Sequence, residues 1–136
     1  MKRNTHAIIG CALVIPFITS PLSLIALYGS IAPDWDIKLG MRHHRTFTHS
    51  LLFLGLSSFL FYTINKELGF VWAISYSVHL FLDSLTVSGV PLLYPFPHRF
   101  GLKWFHTDGW IDNSLEVVCW LGLVLITFQK IITMFK

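Results

Sequence analysis

The chain has 136 residues, 54% of them hydrophobic and only 12% Asp, Glu, Lys or Arg, with a formal net charge of +3. Soluble domains carry about 25% charged residues, so this deficit and a mean hydropathy of +0.62 point to an integral membrane protein, one domain over residues 1–136. The positive charge is small and has no contiguous tract, so no nucleic-acid partner is expected.

At the N-terminus, Lys2 and Arg3 precede an apolar run, and Ile8–Cys11 ("IIGC") has the look of a lipoprotein cleavage box. Too few apolar residues precede Cys11 for the roughly 7–15 of a signal segment, so cleavage is not expected. Cys11 and Cys119 lie in apolar runs far apart in sequence. They suit buried packing rather than a disulfide or a thiolate site.

The first apolar region, Ala7–Ala32, is long enough to span, since about 20 residues cross a bilayer core. In its middle, "PFITSPLS" places Pro16 and Pro21 five apart, poor material for one straight helix. A hairpin of two half-length helices, 5–18 and 22–32, fits equally well. The two readings differ in one testable respect. A straight helix puts His6 a membrane thickness from Asp34, whereas a hairpin brings both to the same side.

Three more apolar regions follow: Leu51–Ile64, Phe70–Val87 and Leu115–Phe128. Thr46, Thr48 or Ser50 can cap the first of these. "NKELG" (65–69) predicts a polar turn between antiparallel spans, and Gly89 with Pro91 predicts the stop of the second. Residues 88–113, rich in Pro, Gly and aromatics, predict a long loop lying in the membrane interface. The expected fold class is all-α: an integral membrane helical bundle with an N-terminal helical hairpin and about three transmembrane spans.

The polar residues are concentrated. "SYSVHLFLDSLT" spaces Ser75, His79, Asp83 and Thr86 by four, four and three, a polar stripe on an apolar helix. Ionisable residues inside a span are costly and face a partner in the bundle interior. His79 and Asp83 could satisfy each other or jointly hold a metal. "PDWD" adds Asp34 and Asp36, and "HRTFTH" adds His44 and His49. A hairpin of two spans gathers these at one membrane face. Imidazole and carboxylate donors without thiolate suit zinc, manganese or iron. The donors exceed one tetrahedral site, so one or two ions are expected. Arg45, beside a helix start, could bind an anion or anchor to headgroups. Asp108, Asp112 and Glu116, four apart, fit a helix N-terminus, with an extra ligand or general base as the functional alternative.

The ordered set Thr5-His6…Gly10, Pro33-Asp34-x-Asp36, His44-Arg45…Thr48-His49-Ser50, His79…Asp83…Thr86…Gly89 and Pro95-Phe96 resembles the YdjM-like family of bacterial and archaeal inner-membrane proteins, described as membrane-bound metal-dependent hydrolases. The resemblance covers residues 5–100. That family is itself distantly similar to zinc-dependent phospholipase C and related zinc nucleases. The resemblance implies His6, Asp34, His44, His49, His79 and Asp83 as metal ligands. It implies hydrolysis of a phosphoester or other ester of a membrane-associated substrate, such as a phospholipid or a lipid-linked compound. Asp36 is then a further ligand or orients the nucleophilic water, and Arg45 neutralises substrate charge; Ser75 and Thr86 are candidates to orient the imidazoles. The resemblance also favours the hairpin. Lys/Arg then distribute seven to the site side against three, which predicts a cytoplasm-facing site. The alternative is a non-enzymatic metal-binding membrane protein, a transport component or a sensor.

Overall fold

The computed structural model describes residues 3–17, 21–38, 46–104, 106–107 and 109–134. Among these residues the regular structure is helical, apart from bridge pairing in the loop after residue 84. Five α-helices occur in chain order: α1 (Arg3–Val14), α2 (Trp35–Lys38), α3 (Leu51–Ile64), α4 (Lys66–Ser84) and α5 (Trp110–Met134).

Proline breaks the first apolar region. α1 stops at Val14, Pro16 falls in a 3-10 turn (Ile15–Phe17), and the chain resumes at Pro21 as a 3-10 helix running to Ser30. Proline lacks an N–H and clashes with the preceding turn, so one continuous α-helix cannot run through both positions. The Pro21–Ser30 segment packs back against α1; the two arms form a hairpin. The second arm is 3-10 rather than α. Its steeper rise of about 2.0 Å per residue carries ten residues about 20 Å, close to the about 18 Å of the twelve-residue α1. Two glycines allow the close approach. A Cβ on Gly10 would lie 2.2 Å from Ser30 Cβ, and one on Gly29 would lie 2.9 Å from Ser75 Cβ on α4.

Ser50 is the cap of α3. Its Oγ accepts from the Phe53 N–H at 3.2 Å and donates to the Phe47 carbonyl at 2.6 Å. The turn expected over "NKELG" is shorter in the structure. Asn65 alone separates α3 from α4, its side chain accepting from the Leu68 N–H at 3.0 Å, and residues 66–69 are the first turn of α4. One residue that both ends a helix and caps the next leaves no loop. α4 ends at Ser84, three residues before Val87, and α5 begins at Trp110, five before Leu115. The connection between them is the expected long loop. It is pinned by antiparallel pairing of Val90 with Phe100 and by the Leu102 and Trp104 amides donating to the Ser84 and Leu85 carbonyls.

α4 is the central helix, packed against the Pro21–Ser30 arm, α3 and α1. Val71, Trp72, Tyr76 and Leu80 on its inner face join Val14, Ala26 and Val90 in the main core. α3 buries none of its residues. α5 turns Val117, Leu121, Val124, Leu125 and Phe128 outward, each more than half exposed. Apolar surface on this scale belongs against lipid rather than water. Trp110–Gln129 is the one stretch among the described residues long and apolar enough to cross a membrane by itself. The fourteen-residue α3 is about 21 Å long, against a hydrocarbon core of about 30 Å. Length and composition therefore support one of the three expected spans.

Candidate metal centre

α4 carries the first two donors. His79 and Asp83, one turn apart, share its inner face and are fully buried. The chain then supplies three more from other elements. His6 lies on α1, Asp34 at the end of the 3-10 turn Ala32–Asp34, and His49 at the end of the 3-10 turn Phe47–His49. All three are buried, with Asp34 the most accessible at 6%.

The donor atoms fall into two triangles that share one side. His49 Nε2 and His79 Nε2 are 3.4 Å apart. Asp34 Oδ1 is 3.6 Å from each of them. Asp83 Oδ2 is 3.6 Å from His49 Nε2 and 3.7 Å from His79 Nε2. Bonds of 2.0–2.2 Å, usual for zinc to nitrogen and oxygen, put tetrahedral ligand atoms about 3.3–3.6 Å apart. Each triangle thus has the size of one face of a metal coordination tetrahedron. A further group, His6 with Asp34 and His79, also brings three donor atoms within 4.8 Å of one another.

The ring nitrogens that face away from the donors are held from behind. His79 Nδ1 lies 2.7 Å from the Ser30 carbonyl oxygen. A carbonyl only accepts, so Nδ1 carries the proton and Nε2 presents its lone pair to the cluster. His49 Nδ1 lies 3.1 Å from Thr48 Oγ1 and 3.6 Å from Asp36 Oδ2, and the Thr48 hydroxyl donates to that same Asp36 oxygen at 3.1 Å. An imidazole backed by a carboxylate or a carbonyl is the usual arrangement of a metal-ligating histidine. Tyr76, on α4, donates its hydroxyl to the Thr48 carbonyl and so ties this turn to the central helix.

His6 differs from the other two histidines. Its Nε2 contacts Asp83 Oδ1 at 3.1 Å, the opposite oxygen from the one that faces His49 and His79. Its ring stacks on His79 with centroids 3.8 Å apart and planes 24° from parallel. His6 Nδ1 is buried and has no hydrogen-bond partner.

The electrostatics favour a cation. Asp34, Asp36 and Asp83 are buried together, while Lys66, Arg99 and Lys103 are exposed. Buried carboxylates cost several kcal/mol each unless compensated. Burial alone would raise the Asp34 carboxyl, but the neighbouring His49, His79 and His6 rings outweigh it and hold Asp34 below the ordinary carboxylate range. The residues present fit a divalent ion with nitrogen and oxygen ligands.

Of the residues expected at the site, His6, Asp34, Asp36, His49, His79 and Asp83 come together. His44 and Arg45, with Asp108, lie outside the described residues. Asp112 is buried in the first turn of α5 and Glu116 is half-buried one turn on; the donor groups formed by described residues do not include them. Asp36 stands behind His49, on the Nδ1 side. The Ser30 carbonyl and Asp36, not Ser75, stand behind the rings of His79 and His49. The Ser75 hydroxyl is buried without a hydrogen-bond partner, and the Thr86 hydroxyl donates to the Asp83 carbonyl at 2.7 Å. Ser30, Thr48 and Tyr76 hold the site instead. Tyr76 had a sequence signal, since it sits one turn before His79. Ser30 acts through its backbone carbonyl, which has no side-chain signature.

Over residues 1–135 the chain matches the family described as YdjM inner membrane protein. It is 38% identical over 84 residues to the uncharacterized protein YvsG of Bacillus subtilis (strain 168), covering 60% of this chain and 51% of YvsG. The chain thus spans about half the length of that curated relative. No solved structure matches.

Proposed function

Because this chain belongs to the YdjM inner membrane protein family, we propose that its buried histidine–aspartate cluster holds a catalytic divalent cation and that the protein is a membrane-bound metal-dependent hydrolase. The observation that carries this reading is the pair of donor triangles, sized for metal coordination and sharing the His49–His79 side. His49 and His79, with Asp34 or Asp83 completing one triangle, would hold the ion and leave its fourth position to water. Nitrogen and oxygen donors without thiolate suit zinc first, with manganese or iron as alternatives. One ion is the content expected of these residues, because the second donor group also needs His79, whose Nδ1 is engaged by Ser30. A second ion would need donors such as His44.

A bound ion of this class supplies a water acidified toward pH 7 and Lewis-acid polarisation of a phosphoryl or carbonyl oxygen. The chain's own residues do the rest. Ser30 and Asp36 fix the tautomer and tilt of His79 and His49. His6 holds one oxygen of Asp83, so that the other faces the imidazoles. Asp36 takes this orienting part in preference to direct action on the water. Arg45 remains the candidate to neutralise an anionic substrate, a phosphoester or other ester of a membrane-associated compound. In the membrane, α3 and α4 would accompany α5 as spans, with the site toward the cytoplasm. That orientation follows from the hairpin, which places the start of α1 on the site side.

One feature favours a second reading. If both triangles close on the same ion, four protein donors fill a tetrahedron and leave no position for water unless the shell expands to five. A non-enzymatic metal-binding protein, a transport component or sensor, would then be the result. Two measurements separate the readings. Metal per chain is determined for wild type and His79→Ala, and a panel of phosphoesters and carboxylic esters is assayed with and without chelator. Chelator-sensitive turnover supports the hydrolase. A stoichiometric ion without turnover of any ester supports the binder. No metal in wild type, or unchanged metal in His79→Ala, would sink both.

A further inference from the structure

A cavity of about 360 Å³ lies between the two arms of the hairpin. Its size falls within the about 300–1,000 Å³ of small-molecule pockets. Ala7, Leu24, Leu27, Tyr28 and Ile31 line it, with Cys11 and Ser30. The wall is almost wholly apolar. A water needs two to four polar partners to settle in a buried space, and this lining offers few.

The cavity adjoins the residues that flank the proposed metal centre and shares Ser30 with them. Ala7 follows His6 in the chain. Ser30 is the residue whose carbonyl accepts the hydrogen bond from His79 Nδ1. Ile31 comes three residues before Asp34. At the outer rim, Leu24 and Tyr28 are more than half exposed, and Leu13 and Ile25 continue the apolar surface beside them. In a protein of the inner membrane, what meets such a surface is hydrocarbon.

We propose that this cavity takes an acyl chain of a glycerophospholipid, so that the ester-bearing end of the same lipid lies at the histidine–aspartate cluster. The identification of that lipid as a substrate rests on the hydrolase reading above; its binding does not. The geometry divides the labour. The apolar arms would hold the tail, and Ser30 joins the cavity wall to the buried donors through its bond with His79. The hairpin supplies both walls of this cavity. A straight helix has no second arm to form the opposite wall.

The test uses the full chain in nanodiscs of phosphatidylglycerol and phosphatidylethanolamine. A trace of phosphatidylglycerol with a diazirine on one acyl chain is included, and irradiation is followed by peptide mass spectrometry. Adducts should concentrate on residues 21–31 above the level on the lipid-facing side of α5. Leu27→Trp, which fills the cavity from one wall, should lower the cavity adduct by about tenfold or more, because added volume must compete with the occupant. Ala7→Phe should do the same from the other arm, and Leu27→Ala, which enlarges the space, should retain the adduct. Labelling of α5 stays constant in all three. A cavity labelled no more than α5, or labelling unchanged in both filling variants, overturns the proposal. Metal content and ester turnover are read on the same samples. Selective cavity labelling of a metal-loaded protein that turns over nothing sinks the hydrolase and keeps the lipid site. Turnover of soluble esters without selective labelling does the reverse.

Discussion

Replacing Asp36 by asparagine should weaken zinc binding without removing a ligand. Asp36 is fully buried, receives the Thr48 hydroxyl at 3.1 Å and faces His49 Nδ1 at 3.6 Å. Asparagine keeps the shape and one acceptor oxygen but loses the charge. Contacts to a charged partner contribute about 1.5–3 kcal/mol, and each 1.4 kcal/mol is about tenfold in affinity. The expected loss is therefore about 10- to 100-fold, the range seen when the group behind a metal-binding histidine is changed. His49→Ala removes a donor and should leave less than about a tenth of the wild-type metal. The assay is competition with a chromophoric chelator on the detergent-purified chain, with thermal unfolding to show that both variants fold. An Asp36→Asn affinity within about twofold of wild type would refute the orienting role. A loss as large as that of His49→Ala would refute it in the other direction, by making Asp36 a ligand.

The remaining predictions concern packing, capping, the ion and orientation. Gly10→Ala should destabilise by about 1–3 kcal/mol, because its Cβ would lie 2.2 Å from Ser30 Cβ. It should also weaken metal binding, since the displaced Ser30 carbonyl holds His79. Gly55→Ala meets nothing within 4 Å and serves as the control; equal melting curves for the two would contradict the close crossing. Ser50→Ala deletes the cap of α3 and should cost about 0.5–2 kcal/mol by thermal unfolding, with an unchanged melting point as the contrary result. Stripping the ion with chelator should lower the melting temperature of wild type, because an ion held only by the folded chain stabilises it; a chelator-insensitive curve argues that no ion was bound. With Cys11 and Cys119 replaced by alanine, a cysteine at position 38 should react with an impermeant thiol reagent only in inverted vesicles. Labelling from the outside of intact cells would reverse the proposed orientation.

Much of the architecture was legible because local chemistry dictates it. α3 occupies Leu51–Ile64, the apolar run bounded by the capping Ser50 and by Asn65. The Pro16/Pro21 interruption left two readings, and the structure chose the hairpin because the Pro21–Ser30 arm packs on α1. What could not be read was the exact length of the turns. Asn65 ends one helix and starts the next, so the polar "KEL" that looked like a loop belongs to the first turn of α4. Such a turn depends on the angle at which two helices pack, which no single stretch of sequence encodes.

The same division runs through the candidate site. The sequence by itself determined a helical, lipid-facing protein and the pairing of His79 with Asp83, because an i, i+4 spacing puts two side chains on one face whatever surrounds them. It also determined the pool of donors from which a metal site could be built. Only the tertiary structure decided which atom of each donor faces which partner. His6 and Asp83 are 77 residues apart in the chain, yet His6 takes Asp83 Oδ1 and leaves Oδ2 toward His49 and His79. Asp36, two residues from Asp34, stands on the opposite side of His49. The tautomer of His79 is set by a backbone carbonyl at Ser30, which any residue type could have provided. Roles of this kind depend on direction as well as identity, and direction is fixed only when separate elements meet.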